Sequence, residues 1–279
     1  MAHCVVESAE KILDKEFRVH NGGFVRLVDY LGGDSRIVQA ARVSYGEGTK
    51  TVREDAGLID YLLRNEHTSP FEQVVLTFHI KMPIFVARQW IRHRTARVNE
   101  ISGRYSVMKD EFWLPEPGVL AFQSKDNKQG RSSEPLEDKL ASNIIEAMQK
   151  GQKEAYSHYQ SLVDLGLARE LARVNLPLST YTEMYWQMDL HNLFRFLALR
   201  LDSHAQREIR DYAEVILEIA GRVCPLACES FRRHQLEGLK LSKEEAQVFR
   251  QLLEGKEAAL GGRAMERLKE KLGMQASSH

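Results

Sequence analysis

Cysteine is scarce in this sequence. Only Cys4, Cys224 and Cys228 occur among 279 residues, too few for a disulfide framework and suited to a reducing compartment. Charge of one sign is lacking as well. Lys plus Arg number 39 and Asp plus Glu number 39, which excludes a generally basic nucleic-acid coat and a polyacid, so any charge-based function must be local. No apolar run approaches the roughly 20 residues of a membrane span, and the N-terminal stretch has no apolar signal core. Several signature loops are missing: GxxxxGK[ST], GxGxxG and HExxH, CxxC and GxSxG. Cys224 and Cys228 stand with three residues between them and no nearby ligand partners, so core thiols are expected there, with no metal. What remains is a cytoplasmic globular protein with no nucleic-acid or membrane partner. At 43% hydrophobic and 28% charged residues, the chain has ample material for a core.

Periodicity outlines the elements. Residues 24–31 (FVRLVDYL) read as a strand closed by Gly32-Gly33, and Asp34 as the cap of a short helix through Ser44. A helix follows over 51–65, then a single capped turn at Ser69-Pro70-Phe71-Glu72. Residues 74–81 (VVLTFHIK) alternate as a strand with Val74, Leu76, Phe78 and Ile80 on one face. Pro83 opens the helix IFVARQWIRHR, a polar loop follows, and 104–108 can be a strand. Residues 123–135 are rich in breakers and read as a surface loop. A long amphipathic helix spans 136–165, a short one 168–175, and 181–188 have strand composition. Asp189 caps DLHNLFRFLALRL. Ser203 and Gln206 have the spacing of a capping box for a helix through Arg233, as do Ser242 and Glu245 for the charged tail. Helices dominate and strands are scattered, so the class is α+β.

Charge is concentrated in one place. Between 81 and 104 there are six Lys/Arg residues and one acid, Glu100. Arg88, Gln89 and Arg92 lie at helical spacing on an element anchored by Phe85, Trp90 and Ile91. Such a stretch is either a solvated basic helix face or a phosphate site, since guanidinium forks grip phosphate bidentately. Arginines interleaved with Tyr105, Phe112 and Trp113 would also suit an RNA-binding surface, which the balanced total charge disfavours. The loop from Asn99 to Ser106 adds an amide, an acid, hydroxyls and a glycine, a set able to meet a base edge. A second polar knot, Asp202-Ser203-His204-Ala205-Gln206, follows Arg200 at the end of an apolar helix.

These residues resemble a known family. Arg92-His93-Arg94, seven residues and Ser102 look like the RHRx7S signature of flavin-dependent thymidylate synthases. AARVS (40–44), SPFE (69–72), FHIK-PIFVARQW (78–90), NLPL (175–178) and LRLDSHAQ (199–206) follow in the family's order. The resemblance covers about 24–233. It implies a helix-rich α+β catalytic domain with a central mixed or antiparallel sheet flanked by helices. Residues 1–23 would be an N-terminal extension and 234–279 a charged helical C-terminal extension. The implied activity is reductive methylation of dUMP to dTMP. 5,10-Methylenetetrahydrofolate is the carbon donor, NADPH the reductant through FAD, and tetrahydrofolate a product. The implied assembly is a homotetramer with active sites between subunits.

Carried over by position, the family's dUMP contacts fall on Gln89, Arg92, Glu100, Ile101, Ser102, Gly103, Arg104, Arg173 and Arg200, with Arg200 as the catalytic cation. Its FAD contacts fall on Ser44, His67, Ser69, Glu72, Arg92, His93, Arg94, Thr95 and Glu100, and on Asp189, Leu190, His191 and Arg195. One branch of the family has Asn, Arg and Asn where this chain has Asp189, His191 and Arg195. No cysteine lies near a matched block, in keeping with a mechanism that uses no thiolate.

Overall fold

In chain order, the computed structural model places α1 (Glu7–Glu10), β1 (Glu16–Val19), β2 (Gly23–Leu31), α2 (Asp34–Arg42), α3 (Val52–Arg64), β3 (Val75–Pro83), α4 (Ile84–Trp90) and β4 (Arg97–Glu100). A hairpin of β5 (Ala121–Gln123) and β6 (Arg131–Pro135) leads to the long α5 (Asp138–Asp164) and the short α6 (Arg169–Ala172). Then come β7 (Tyr181–Asp189), α7 (Leu190–Arg200), α8 (Arg207–Val223), α9 (Pro225–Phe231), α10 (Lys243–Leu253) and α11 (Gly262–Lys271). Residues 4–43, 52–125, 130–255 and 262–273 are described. No helix among them is long and apolar enough to cross a membrane.

The main sheet has the order β1-β2-β3-β7-β4, and every pairing in it is antiparallel. The alternation in β3 does what its pattern predicts: Leu76, Phe78 and Ile80 are fully buried while Thr77 and His79 are half-buried on the other face. Across the ladder, Phe78 pairs with Trp186 of β7. Helices α4, α7 and α8 cover the buried face, and an aromatic cluster joins the layers. Trp90 packs edge-on to Trp186 with centroids 5.3 Å apart, and Phe196 lies 4.7 Å from Trp90 and 5.1 Å from Trp186. Tyr212 of α8 closes the cluster and donates its hydroxyl to the Lys81 carbonyl at 2.8 Å. Fully burying each such ring stabilises the fold by roughly 1.5–3 kcal/mol.

Several local expectations are corrected. Residues 97–100, read as loop, form the sheet's edge strand because β7 offers a free ladder, an interaction no local pattern reveals. Residues 104–108 form a turn instead of a strand, with the amides of Tyr105 and Ser106 both donating to the Ser102 carbonyl. Part of the 123–135 loop is the hairpin, tied down by Arg131, whose Nη2 donates to the buried Glu208 at 2.7 Å. The Ser69 turn exists as a 3-10 turn at Phe71–Gln73 but has no side-chain cap; Phe71 N donates to the Thr68 carbonyl. Gln206 precedes α8 without capping it through its side chain. The helix expected through Arg233 breaks at Cys224, because Pro225 has no N–H to continue the ladder. The Asp189 cap and the Ser242–Glu245 capping box form as read. Residues 16–19, which lie ahead of the stretch the sequence resemblance covers, supply the other edge strand.

Asp34 does not cap the helix it opens. Its carboxylate instead accepts from the amides of Leu226 and Ala227 at 2.9 and 3.0 Å, capping α9 from far away in sequence. Burial pushes this carboxyl above its ordinary value even though both amides pull it down. The contact fastens the break between α8 and α9 to the sheet's helical cover. Replacing Asp34 by Ala should cost about 0.5–2 kcal/mol, as for a lost cap. Urea denaturation measures this directly, and an unchanged midpoint would show that α9 needs no such anchor.

Candidate active site

The aromatic cluster fixes the C-terminal ends of α4 and α7 beside each other. The side chain of Arg200, in the last turn of α7, reaches to the end of α4. Its Nε donates to His93 Nε2 at 3.0 Å and its Nη2 to the Gln89 carbonyl at 2.9 Å. Because a guanidinium N–H can only donate, His93 Nε2 must accept, and the ring carries its proton on Nδ1. Burial, together with the charges of Arg200 and Arg195, lowers the His93 pKa from 6.5 to about 4. His93 is therefore neutral at ordinary pH. It also sits edge-on to Phe196, 4.8 Å between centroids, so the core holds the ring that holds the arginine. Burial lowers the Arg200 pKa as well, yet a guanidinium stays charged. Gln89 Nε2 donates to Gln206 Oε1, which brings the second polar knot into the same group.

The loop after β4 forms a second patch. Ile101 N donates to the Glu183 carbonyl at 2.9 Å, and Glu100 Oε1 accepts from Thr182 Oγ1 at 2.6 Å. Helix α5 straps the far end of the loop: Tyr159 Oη accepts from Met108 N at 2.9 Å, and Tyr156 Oη donates to the Met108 carbonyl at 3.1 Å. Gly103 is buried where a Cβ would stand 2.9 Å from Arg173 Cδ and 3.0 Å from Met108 Sδ. Its smallness thus admits Arg173 to the loop. Arg104 pairs with Glu170 at 3.1 Å, both about half exposed, an interaction worth roughly 0–1 kcal/mol that a ligand can displace. Arg92, Arg94 and Arg173 have no side-chain partner among the described residues.

A third group lines a cavity of about 540 Å³ between the end of α3 and the start of α7. His67, His191 and Arg195 face it above the apolar Phe71 and Phe194. Asp189 opens α7, its Oδ1 accepting from Asn192 N at 2.9 Å. Asn192 in turn accepts from Thr95 Oγ1 at 2.9 Å, linking the arginine-rich loop to this helix. Leu190 is fully buried with its amide donated to the Val74 carbonyl, which anchors the start of α7 to the sheet. Ser69 lines a separate cleft with Arg36 and Gln39, and Glu72 is exposed near it. Ser44 lies outside the described residues. In one protomer no hydrogen bond joins the Arg104 patch to the Arg200 patch among the described residues.

A family profile described as "Thymidylate synthase complementing protein" matches residues 26–226, which span these three patches. The chain belongs to the flavin-dependent thymidylate synthase family. It is 65% identical over 260 residues to a flavin-dependent thymidylate synthase of Treponema denticola, covering 93% of this chain and 98% of that protein. It is 57% identical over 254 residues to one of Thermus thermophilus, covering 90% and 92%. A solved structure of a UMP/dUMP methylase from Streptomyces cacaoi bound with 5-Br dUMP is similar at a TM-score of 0.70 and 32% identity. That likeness covers 78% of this chain and 98% of the other.

Within this flavin-dependent thymidylate synthase scaffold, two contributors escaped the sequence reading, while Gln206 belongs to the polar knot already singled out there. Asn192 had a weak signal, the N3 position after the Asp189 cap. Glu170 had none, because its link to Arg104 depends on how α6 docks. The depressed His93 pKa has a consequence for stability. Between about pH 4 and 6.5 the unfolded chain binds more protons at this residue than the folded one, so stability falls as pH drops through that window. His93→Asn keeps an acceptor for Arg200 and cannot titrate. The variant should lose less stability than the parent between pH 7 and pH 4.5 in urea titrations. Identical pH profiles would contradict a buried neutral imidazole.

Proposed function

We propose that this chain reductively methylates dUMP to dTMP, taking the methylene from 5,10-methylenetetrahydrofolate and releasing tetrahydrofolate. The dUMP analogue named with the Streptomyces methylase and the names of the curated relatives support this substrate. The observation that carries the reading is Arg200, a fixed guanidinium whose partners are a neutral ring and a carbonyl. Neither neutralises it, so its full charge is left for a ligand. Set at the N3/O2 edge of uracil, it stabilises negative charge on the ring as carbon 5 becomes nucleophilic. Arg92, Ser102, Arg104 and Arg173 take the phosphate and sugar, while Gln89, Glu100, Ile101 and Gly103 frame the base. His93 holds Arg200 and, being neutral, adds no competing charge.

The donor set fits a flavin dinucleotide. His67, His191 and Arg195 surround an apolar-floored cavity, and Arg92, Arg94, Thr95, Ser44, Ser69, Glu72, Glu100 and the start of α7 at Asp189 and Leu190 complete the proposed FAD contacts. Bound there, FAD supplies the hydride drawn from NADPH. No thiolate is at hand for attack on uracil. Cys224 and Cys228 are buried with their thiols pushed up by desolvation, and Cys4 lies against Ser35 near the N-terminus. The working unit is a homotetramer whose active sites draw residues from neighbouring subunits, which accounts for candidate patches left separate in one protomer.

Turnover with dUMP, 5,10-methylenetetrahydrofolate and NADPH should stop when any one is omitted; dTMP formation without NADPH or the folate would contradict the reaction. Arg200→Ala should lower kcat by about 10²–10³-fold, the usual cost of one donor aimed at developing charge. Arg200→Lys, which keeps charge but loses the fork, should fall between. Arg104→Ala should mainly raise KM for dUMP, because a phosphate contact serves ground and transition states alike. A raised KM with intact kcat in Arg200→Ala would reduce that residue to a binding group. At a dUMP concentration too low for Arg104→Ala to turn over, mixing it with Arg200→Ala should restore part of the turnover through hybrid sites. No recovery after verified subunit exchange would place both residues in the same protomer's site.

A further inference from the structure

The cavity beside α7 has a wall that the sequence resemblance does not reach. After α9 the chain widens into a π-helical turn at Arg232–Leu236, with Glu237 N donating to the Arg232 carbonyl at 2.9 Å. Such turns often mark functional sites, because they rotate a side chain away from the regular helical face. Here the turn begins beside Phe231, which stacks on Phe194 at 4.3 Å and 5°, and it brings His234 to the cavity. A Cβ on Gly238 would stand 2.4 Å from the His234 carbonyl oxygen. Only glycine lets the chain double back there, and doubling back carries Lys240 to the same cavity.

One carboxylate organises this segment. Asp60 Oδ1 accepts from Ser230 Oγ at 3.1 Å, Arg233 Nη1 at 3.2 Å and His234 Nε2 at 2.9 Å. Although burial pushes the Asp60 carboxyl up, the bonds from His234 and Ser230 and the nearby charges bring it below its ordinary value. The carboxylate can only accept, so His234 commits Nε2–H to it, and the ring's Nδ1 has no partner among the described residues.

The balance of charge around the cavity is one-sided. Arg64, Arg195 and Lys240 line it with one carboxylate, Glu66, beside the imidazoles of His67, His191 and His234. The side chains of His191, Arg195 and Lys240 make no hydrogen bond or ion pair among the described residues. A protein of balanced charge that leaves cations unpaired around an apolar floor offers a site for an anionic ligand with a ring to bury. Arg195 is also close enough to His93 for its charge to be felt there, so the cavity adjoins the Arg200 site.

We infer that residues 232–240 form a further wall of the flavin site, with Lys240 gripping the cofactor's pyrophosphate, His234 Nδ1 accepting from one of its sugar hydroxyls and Asp60 acting as the positioning residue for His234. This rests on the flavin-dependent reading above. The test is titration of flavin-free protein with FAD, followed by flavin fluorescence, for the parent, His234→Ala, His234→Gln, Lys240→Met and Asp60→Asn. Lys240→Met should weaken FAD binding about tenfold, the scale of one charge-assisted contact, and His234→Ala by up to about tenfold, the scale of one hydrogen bond. dUMP affinity should stay unchanged in both, the urea midpoint should stay unchanged in Lys240→Met, whose side chain has no partner among the described residues, and His234→Gln should recover part of the loss. Asp60→Asn should weaken FAD binding in the parent and have no further effect in His234→Ala, the coupling expected if it acts through that ring. Unchanged FAD affinity in both His234→Ala and Lys240→Met would overturn the inference and leave the flavin enzyme reading standing. So would a change confined to the KM of the folate or of NADPH. A parent protein that binds no FAD would instead defeat the reading on which the inference rests.

Discussion

The contact of Trp90 with Trp186 and Phe196 decides where everything else in the site can be. These three rings belong to α4, β7 and α7, and each element carries a candidate residue within a few positions of its ring. Gln89 precedes Trp90, and Arg200 lies one turn beyond Phe196. Met184, two residues before Trp186, pairs with Glu100 across the ladder. Interiors are packed too densely for one ring to shift alone. The placement of the Arg200 guanidinium thus follows from the burial of apolar surface, and His93, edge-on to Phe196, carries that rigidity to the arginine.

Charge is then handled in two ways. Arg104 is paired with a carboxylate at the surface, where the interaction is weak and exchangeable. Arg200 is held by neutral acceptors in a partly buried place, where its field is less screened. The first arrangement suits a group that captures a phosphate. The second suits one that must keep its charge for a ring. A carboxylate in place of His93 would hold the arginine as firmly and cancel much of its field.

Much of this was legible in the sequence. The alternation of 74–81, the Asp189 cap and the long helix before Gly166 are local patterns, and they formed as read. The ordered blocks from AARVS to LRLDSHAQ pointed to the family. What was not legible depends on long-range docking. β4 becomes a strand only because β7 has a free edge, and Asp34 caps a helix almost two hundred residues away. The neutral state of His93 has no local sign either, since it follows from burial and from two arginines brought in by α7. The π-turn after α9 is invisible to helical periodicity, although Gly238 marks its end.

The central physical claim is that Arg200 is held by an uncharged His93. It can be measured directly by ¹⁵N NMR of the protein labelled at histidine, with His93 assigned by comparison with His93→Asn. The structure predicts a neutral ring protonated on Nδ1, with Nε2 as acceptor, that titrates near pH 4. A ring that is cationic near neutral pH, or that carries its proton on Nε2, would contradict the account.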